Sequence, residues 1–257
     1  MTPAELRGLS AKGEFDQPTA GFCPGYVQAN LAAFPEKYAA DFETFCRANP
    51  QPCPLLEIIG PHSTISAKLA PGADICETIP RYQVWRDGVA EEEVSSVRSL
   101  TPADMVFFML GCSFSFEEAL IEAGISLRHL EQNRNVAMYR TNITLTPVGL
   151  FAGEMVVSMR PIHKTQVELA RQITGRYPEV HGAPVHAGDP AAIGIMDIHR
   201  PDYGESVEIK DDEVPVFWAC GVTPQNVLLN AKLPFAITHS PGFMFVSDHK
   251  NKDYATG

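Results

Sequence analysis

Apolar positions after Pro35 recur at Tyr38, Ala39, Phe42, Phe45 and Cys46, the spacing of one helical face, and Asn49-Pro50 ends the run. A core-packing helix is expected there. Residues 51–100 instead alternate short apolar runs with turn residues: LLEIIG, ISAKLAPG and RYQVWRDG read as strands, and Asp87-Gly88 as a hairpin turn before VAEEEV. The three glutamates 91–93 read as a solvated edge. Thr101, Pro102 and Asp104 have the form of a helix start ahead of MVFFML, so a helix ending at Gly111 is expected. Ser115-Phe116-Glu117-Glu118 repeats the capping pattern and opens a second helix closed by Gly124.

From about residue 135 to 214 the order is strand, strand, helix, strand, strand: NVAMYRTNI, GEMVVSMRP, a helix over 163–174, APVHAG and AAIGIMDI. PVFWACG then reads as a buried strand, Thr223-Pro224 as a helix start before QNVLLNA, and PFAITH as another strand. Strand, helix and strand suggest a parallel pair, whose carboxyl edge would carry Cys220, Gly221, Thr223, Gln225, Asn226, Thr238 and His239. The order of elements predicts an α/β fold divided into residues 1–134 plus 215–257 and a smaller two-layer unit over 135–214.

Composition narrows the partners. The 257 residues are 45% hydrophobic and 20% charged, and 20 basic against 31 acidic side chains leave a formal charge of −11. Such a chain has apolar material for a large core and lacks the basic footprint of a nucleic-acid or membrane-surface protein. No apolar run approaches a membrane span, and MTPAELRGLSAKGEF has no apolar segment of the secretory kind, so a cytoplasmic location is expected. Six cysteines at 23, 46, 53, 76, 112 and 220 form no CxxC pair and read as reduced thiols.

Candidate chemistry gathers at a few points. GCSFSF is a tight loop delivered to a helix start, where free N–H groups favour an anion, although Glu117 and Glu118 would already answer the helix dipole. Ser115 reads equally as only a cap, and Cys112 as only a packed thiol. Arg140 and Arg160, at or near strand ends, could clamp a carboxylate, pair with an acid or reach solvent. His239 and Thr223 are either site residues or ordinary strand-end and cap residues. His181, His186, Asp189, Asp197 and His199 lie within nineteen residues but match no standard metal spacing, and HGAPVHAGDP reads better as a turn-rich functional loop. GxGxxG, Walker, HExxH and GxSxG signatures are missing, and Gly111-Cys112-Ser113 comes nearest to a nucleophile motif.

The blocks GFCPGYVQANL, NPQPCPLLE, RYQVWRDG, GCSFSFEEALIEAGI, NVAMYRTNI, VHGAPVHAGDP, VFWACGVTPQ and THSPGFMFVSD follow one another from about Gly21 to Asp248. In them the chain resembles the D-glutamate cyclase family. That resemblance implies a three-layer α/β domain with a smaller two-layer α/β domain, and a carbon–oxygen lyase, without an organic cofactor, that converts D-glutamate to 5-oxo-D-proline and water or acts on a related small acid. One departure is Ser240 and Phe243, where the family usually reads THAPGHM. Cyclisation needs a base for the ammonium proton, donors for the carboxylate and for the tetrahedral oxyanion, and an acid for the departing hydroxyl. Glu117 or His239 would be the acid or base. Arg140 with Thr141 would clamp a carboxylate, and N–H groups of the GCSFSF loop and of the helix after Thr223 would receive the oxyanion. Ser113, Ser115, Arg160, His186, Cys220 and Gln225 are further contact candidates, with Cys112 as an alternative nucleophile. The expected partner is a small anionic amino-acid-like substrate, and the apolar fraction permits a homo-oligomer. Two rival readings are a non-catalytic binding module for small carboxylates and a metal-dependent lactam or amide hydrolase.

Overall fold

In the computed structural model, which describes residues 1–256, the chain passes through α1 (Pro3–Ala11), β1 (Tyr26–Pro35), α2 (Ala39–Ala48), β2 (Leu55–Ile59), β3 (Tyr82–Arg86), β4 (Val89–Val94) and β5 (Met105–Gly111). It continues through α3 (Phe114–Glu122), α4 (Arg128–Glu131), β6 (Ala137–Thr144), β7 (Glu154–His163), α5 (Val167–Gly175), β8 (His186–Ala187), β9 (Glu213–Ala219), α6 (Thr223–Ala231), β10 (Ala236–His239) and β11 (Phe245–Lys250). One antiparallel sheet has the order β2-β5-β1-β10-β3-β4 with β11 also on β1, and a second has the order β6-β7-β9-β8. Helices accompany both sheets, as an α/β fold requires. Among the described residues no helix is long and apolar enough to cross a membrane.

The helix after Pro35 and the Asp87-Gly88 hairpin form as expected. Both turn residues take positive φ, +49° and +76°, which matches the twist of β3 and β4. Glu91 to Glu93 are all exposed on β4, at the edge of its sheet.

Several expectations are corrected. MVFFML is not a helix but β5, the strand between β1 and β2; all seven of its residues are buried. A short apolar run covered on both faces has no periodicity to separate strand from helix. The residues Thr101 to Asp104 form the turn into that strand. ISAKLAPG is not a strand either, because its N–H groups turn inward onto one carboxylate: Glu57 accepts from Ala67, Lys68 and Leu69 at 2.8, 2.9 and 3.0 Å. AAIGIMDI gives a short 3-10 turn over Pro190–Ile193, started by Asp189 and stopped by Gly194 at φ +83°, and only His186–Ala187 of APVHAG pairs as a strand. Nor do PVFWACG and PFAITH form a parallel pair. β9 lies antiparallel to β7 and β8, whereas β10 lies antiparallel to β1 and β3, so α6 crosses from one sheet to the other. A division between residues 214 and 215 falls inside β9. At the start of β9 the Glu213 carboxylate meets the buried Arg128 at 2.6 Å.

A shared core joins the sheets. Phe34 of β1 stacks on Phe108 of β5 at 5.3 Å, and Phe42 of α2 meets Phe34, Phe108 and Phe151 edge-on at 5.0, 4.9 and 5.0 Å. The same apolar cluster contains Tyr139, Met159 and Phe217 of the second sheet. Close approach of backbone is also required at Gly111, where a Cβ would lie 2.1 Å from the Glu179 carbonyl oxygen. Gly111→Ala is therefore expected to cost about 1–3 kcal/mol in urea unfolding. Gly8→Ala, inside α1 with open space around it, should be neutral or stabilising by up to about 1 kcal/mol.

Candidate functional site

Arg160 lies within β7 with its side chain fully buried, so its charge must be answered inside the protein. Glu117, one turn into α3, provides the counter-charge. Glu117 Oε1 accepts from Arg160 Nε at 2.9 Å and from Nη2. The remaining guanidinium bonds go to Ser158 Oγ at 3.0 Å and Ser113 Oγ at 3.1 Å, and Phe116 and Trp218 flank the group at 5.3 and 5.4 Å. His129 Nε2 stands 3.1 Å from Glu117 Oε1, off the line of a hydrogen bond. Burial alone would raise the Glu117 pKa; attraction to His129 and Arg160, with the Arg160 hydrogen bonds, outweighs it and holds the carboxyl below the usual carboxylate range.

A second polar group lies across the Gly111–Ser113 turn. β10 leaves β1 after the pair Ala32–Thr238, and β11 joins the same edge of β1 at Ala29–Phe245. Asn30 and Leu31 occupy the gap between them. The Leu31 N–H donates to His239 Nδ1 at 3.0 Å, which leaves the proton of the neutral ring on Nε2, and that buried atom has no partner. Gln225 Nε2 donates to the His239 carbonyl at 2.8 Å. Asn30 Nδ2 donates to the Gly111 carbonyl at 2.6 Å, and a Cβ on Gly221 would lie 1.9 Å from that same nitrogen. Ser240 Oγ, next along the chain, is likewise buried without a partner. A connected series of bonds thus runs from His239 through Leu31 and Asn30 to Gly111, and from Ser113 to Arg160 and Glu117.

Other candidates fall elsewhere. Arg140 is exposed and donates to Tyr203 Oη at 2.9 Å, while Thr141 is buried and donates to the Met155 carbonyl at 2.7 Å. Neighbours on a strand point to opposite faces, so they form no clamp. Ser115 does not cap α3; its Oγ accepts the Gln28 N–H at 3.1 Å, beside an irregularity in the β1–β11 pairing. Thr223 Oγ is engaged by the backbone of Val156 at 3.1 Å, and α6 takes its cap position at Val222. His186 bonds the Asp189 carbonyl at 2.7 Å and stands against Phe217, while His181 is buried with Nδ1 on the Gln51 carbonyl at 2.8 Å. Among the described residues no three His, Cys, Asp or Glu side chains gather as a metal-binding group. All six cysteines are free and buried. Burial pushes the Cys112 thiol well up and Cys220 to about 11, so Cys112 is held as the protonated thiol, a weak nucleophile.

Asn30, Gln28, Ser158 and His129 were not singled out from sequence. The usable signal was in YVQANLAAFP, where Gln28 and Asn30 are the two amides, at alternate positions, in an otherwise apolar strand.

A sequence model of the D-glutamate cyclase family matches residues 106–248, more than half of the chain. A protein of Rubrobacter xylanophilus named "Putative hydro-lyase" is 52% identical over 251 residues, covering 98% of this chain and 97% of its own. The chain belongs to the D-glutamate cyclase family. A Clostridium beijerinckii member with the same printed name is 50% identical over 98% of this chain and 97% of its own. Among solved structures, a nitrogen repressor-like protein MJ0159 from Methanococcus jannaschii aligns over 98% of this chain and 99% of its own at 11% identity, with a TM-score of 0.40. The stretch matched to the D-glutamate cyclase family contains Ser113, Glu117, Arg160, Gln225 and His239, but begins after Gln28 and Asn30.

Burial lowers both His181 and His239 to about 4. Unfolded histidine titrates near ~6.5, so between these values the unfolded chain binds the extra protons. The stabilisation is complete above pH ~6.5 and is lost as pH falls towards about 4, by about 3 kcal/mol for each ring. Urea unfolding followed from pH 7 to 4.5 should show this decline, and His239→Asn should flatten its slope.

Proposed function

We propose that this member of the D-glutamate cyclase family is a carbon–oxygen lyase that closes a small amino dicarboxylic acid on itself, D-glutamate giving 5-oxo-D-proline and water. The observation that carries the proposal is the placement of an ionised, buried Glu117 on one flank of the Gly111–Ser113 turn and of two unpartnered groups, His239 Nε2–H and Ser240 Oγ, on the other. In the reaction the amine attacks the γ-carboxyl carbon, a C–N bond forms, and a C–O bond breaks. Two protons pass from nitrogen to the departing oxygen, which leaves as water.

Glu117 suits the first proton transfer, because a carboxyl held ionised is a base at neutral pH and, once protonated, an acid for the departing hydroxyl. Arg160 acts through it. With its donors already given to Glu117, Ser113 and Ser158, the guanidinium fixes the base and does not hold a substrate carboxylate. His239 Nε2–H and the Ser240 hydroxyl are donors for the carboxylate or the developing oxyanion, in a low-dielectric setting where fixed donors count for most. Gln225, on the His239 carbonyl, is a positioning residue. The protonated Cys112 favours direct attack over an acyl-enzyme. Enforced folding of the substrate then contributes the rate that intramolecular attack allows. A cytoplasmic setting is part of the same proposal, supported by the acidic composition and by the lack of a membrane-crossing helix among the described residues.

A second reading, a non-catalytic carboxylate binder, draws on Phe243. Its ring packs under the Arg81 guanidinium at 4.8 Å, a structural use of the position where the family usually has histidine.

Incubation of the pure protein with D- and L-glutamate, followed by chiral chromatography of 5-oxoproline, decides between these readings. Product from the D-isomer is expected, with kcat about 10²–10⁴-fold lower in Glu117→Gln and little changed in Cys112→Ala. Calorimetric binding of the acid without product would replace the lyase reading with the binder.

A further inference from the structure

Away from the polar seam, the fold brings together two nucleophilic side chains that the proposed chemistry does not use. Cys46 lies in the last turn of α2, and Cys53 comes just before β2. Two successive turns return the chain to the helix: the Cys46 carbonyl accepts the Asn49 N–H at 3.1 Å, and the Asn49 carbonyl accepts the Cys53 N–H at 3.0 Å. The Asn49 side chain fixes that path. Its Nδ2 donates to the Phe45 and Thr146 carbonyls, both at 2.9 Å, and its Oδ1 accepts the Thr146 N–H at 2.9 Å. Cys46 and Cys53 belong to one packed cluster, and burial together with the neighbouring Cys46 pushes the Cys53 thiol well up. Both residues also line a surface cavity of about 420 Å³, with Arg47, Pro50, Pro54 and Glu179.

The same segment supports the Gly111 turn. The carbonyl of Pro54, next to Cys53, accepts the Gly111 N–H at 2.8 Å. Glu179, in the cavity wall, presents its carbonyl to the α-carbon of Gly111. Cys53 and Pro54 thus form a short strap from α2 to the turn that joins the two flanks of the site.

The geometry points to a reversible disulfide between Cys46 and Cys53 that alters the hold of Pro54 on Gly111. The oxidant is a small hydroperoxide; hydrogen peroxide is little larger than water. One sulfur attacks a peroxide oxygen, the O–O bond breaks, and a sulfenic acid and water form. The second sulfur attacks the sulfenic sulfur: the S–S bond forms, the S–O bond breaks, and the hydroxyl leaves as water. Each thiol gives up one proton, and the two electrons lost by the sulfurs are gained by the peroxide oxygens. A small dithiol reverses the change by exchange. Thiols that only touch must close up to bond, so Cys53 moves towards α2 and carries Pro54 with it.

Neither readout that tests this uses turnover, so the result is separate from the lyase reading. Peptide mapping by mass spectrometry, on the full chain treated with hydrogen peroxide, locates the cross-link; amide hydrogen exchange reports the coupling. A bond between Cys46 and Cys53 that dithiothreitol reverses is expected, and it should be lost in Cys46→Ala and in Cys53→Ala. The Gly111 N–H should exchange about tenfold faster in the oxidised chain, and peroxide should leave its rate unchanged in Cys46→Ala. Should either variant fail to fold, the map and the exchange rate of the unaltered chain still decide. No cross-link, one between other cysteines in its place, one that dithiothreitol leaves intact, or unchanged Gly111 exchange in the cross-linked chain overturns the inference.

Discussion

A guanidinium without access to water governs the architecture around the site. Arg160 projects from the middle of a strand, and leaving such a charge unpaired inside the protein would cost several kcal/mol. Glu117 neutralises it, but only if α3 stands over the second sheet with its first turn against β7. Ser113 and Ser158 occupy the donors that Glu117 does not, and Phe116 and Trp218 close the planar faces. The position of the GCSFSF loop follows from this arrangement: the chain leaves β5 of the large sheet at Gly111 and reaches a partner on the small one at Ser113. A pair of this kind contributes little net stability, because desolvation consumes most of the attraction. What it fixes is geometry. A carboxylate held charged in a dry interior is also what proton abstraction requires, so one interaction serves both the fold and the proposed chemistry.

The opposite flank is set by a vacancy in hydrogen bonding. β1 would be an ordinary inner strand if a single neighbour covered each edge, but β10 and β11 divide one edge between them. The N–H of Leu31 falls in the interval and is satisfied by a side chain, His239. That use of Nδ1 determines which nitrogen carries the proton and leaves the other free to donate. The interlock of Asn30 with Gly111 and Gly221 holds the start of α6 against the same place; no side chain larger than hydrogen fits at Gly221.

Legibility from sequence followed the physics of each segment. Amphipathic helices, the Asp87-Gly88 hairpin and the buried cysteines could be read because their signals are local. The strand β5 could not, since burial on both faces erases the alternation that identifies a strand and the TPAD sequence ahead of it imitates a helix start. The parallel pairing failed for a related reason: strand, helix, strand is equally compatible with a crossover between two sheets, and only long-range pairing separates the cases. Glu117, Arg160 and His239 stood out in the sequence as candidates, as did their partners Ser113 and Gln225, but other residues bonded or close to them did not. Ser158 is only two residues from Arg160 on the same strand and Asn30 is marked only as an amide in an otherwise apolar strand, while the approach of His129 to Glu117 has no local marker. Arg140 looked equivalent to Arg160 in sequence; the parity of its strand placed it outside.

The division of the β1 edge has a consequence for the order in which the molecule can be made. β1 finds β5 within the first 111 residues, yet its other edge is completed by residues 236–250. During synthesis from the amino terminus that edge is open, with unpaired N–H and C=O groups, for most of the time the chain is emerging. The gap that orients His239 does not exist until both late strands have arrived. The polar seam is thus among the last features to form, and a nascent chain can hold much of its apolar core while still lacking the place where its chemistry would occur.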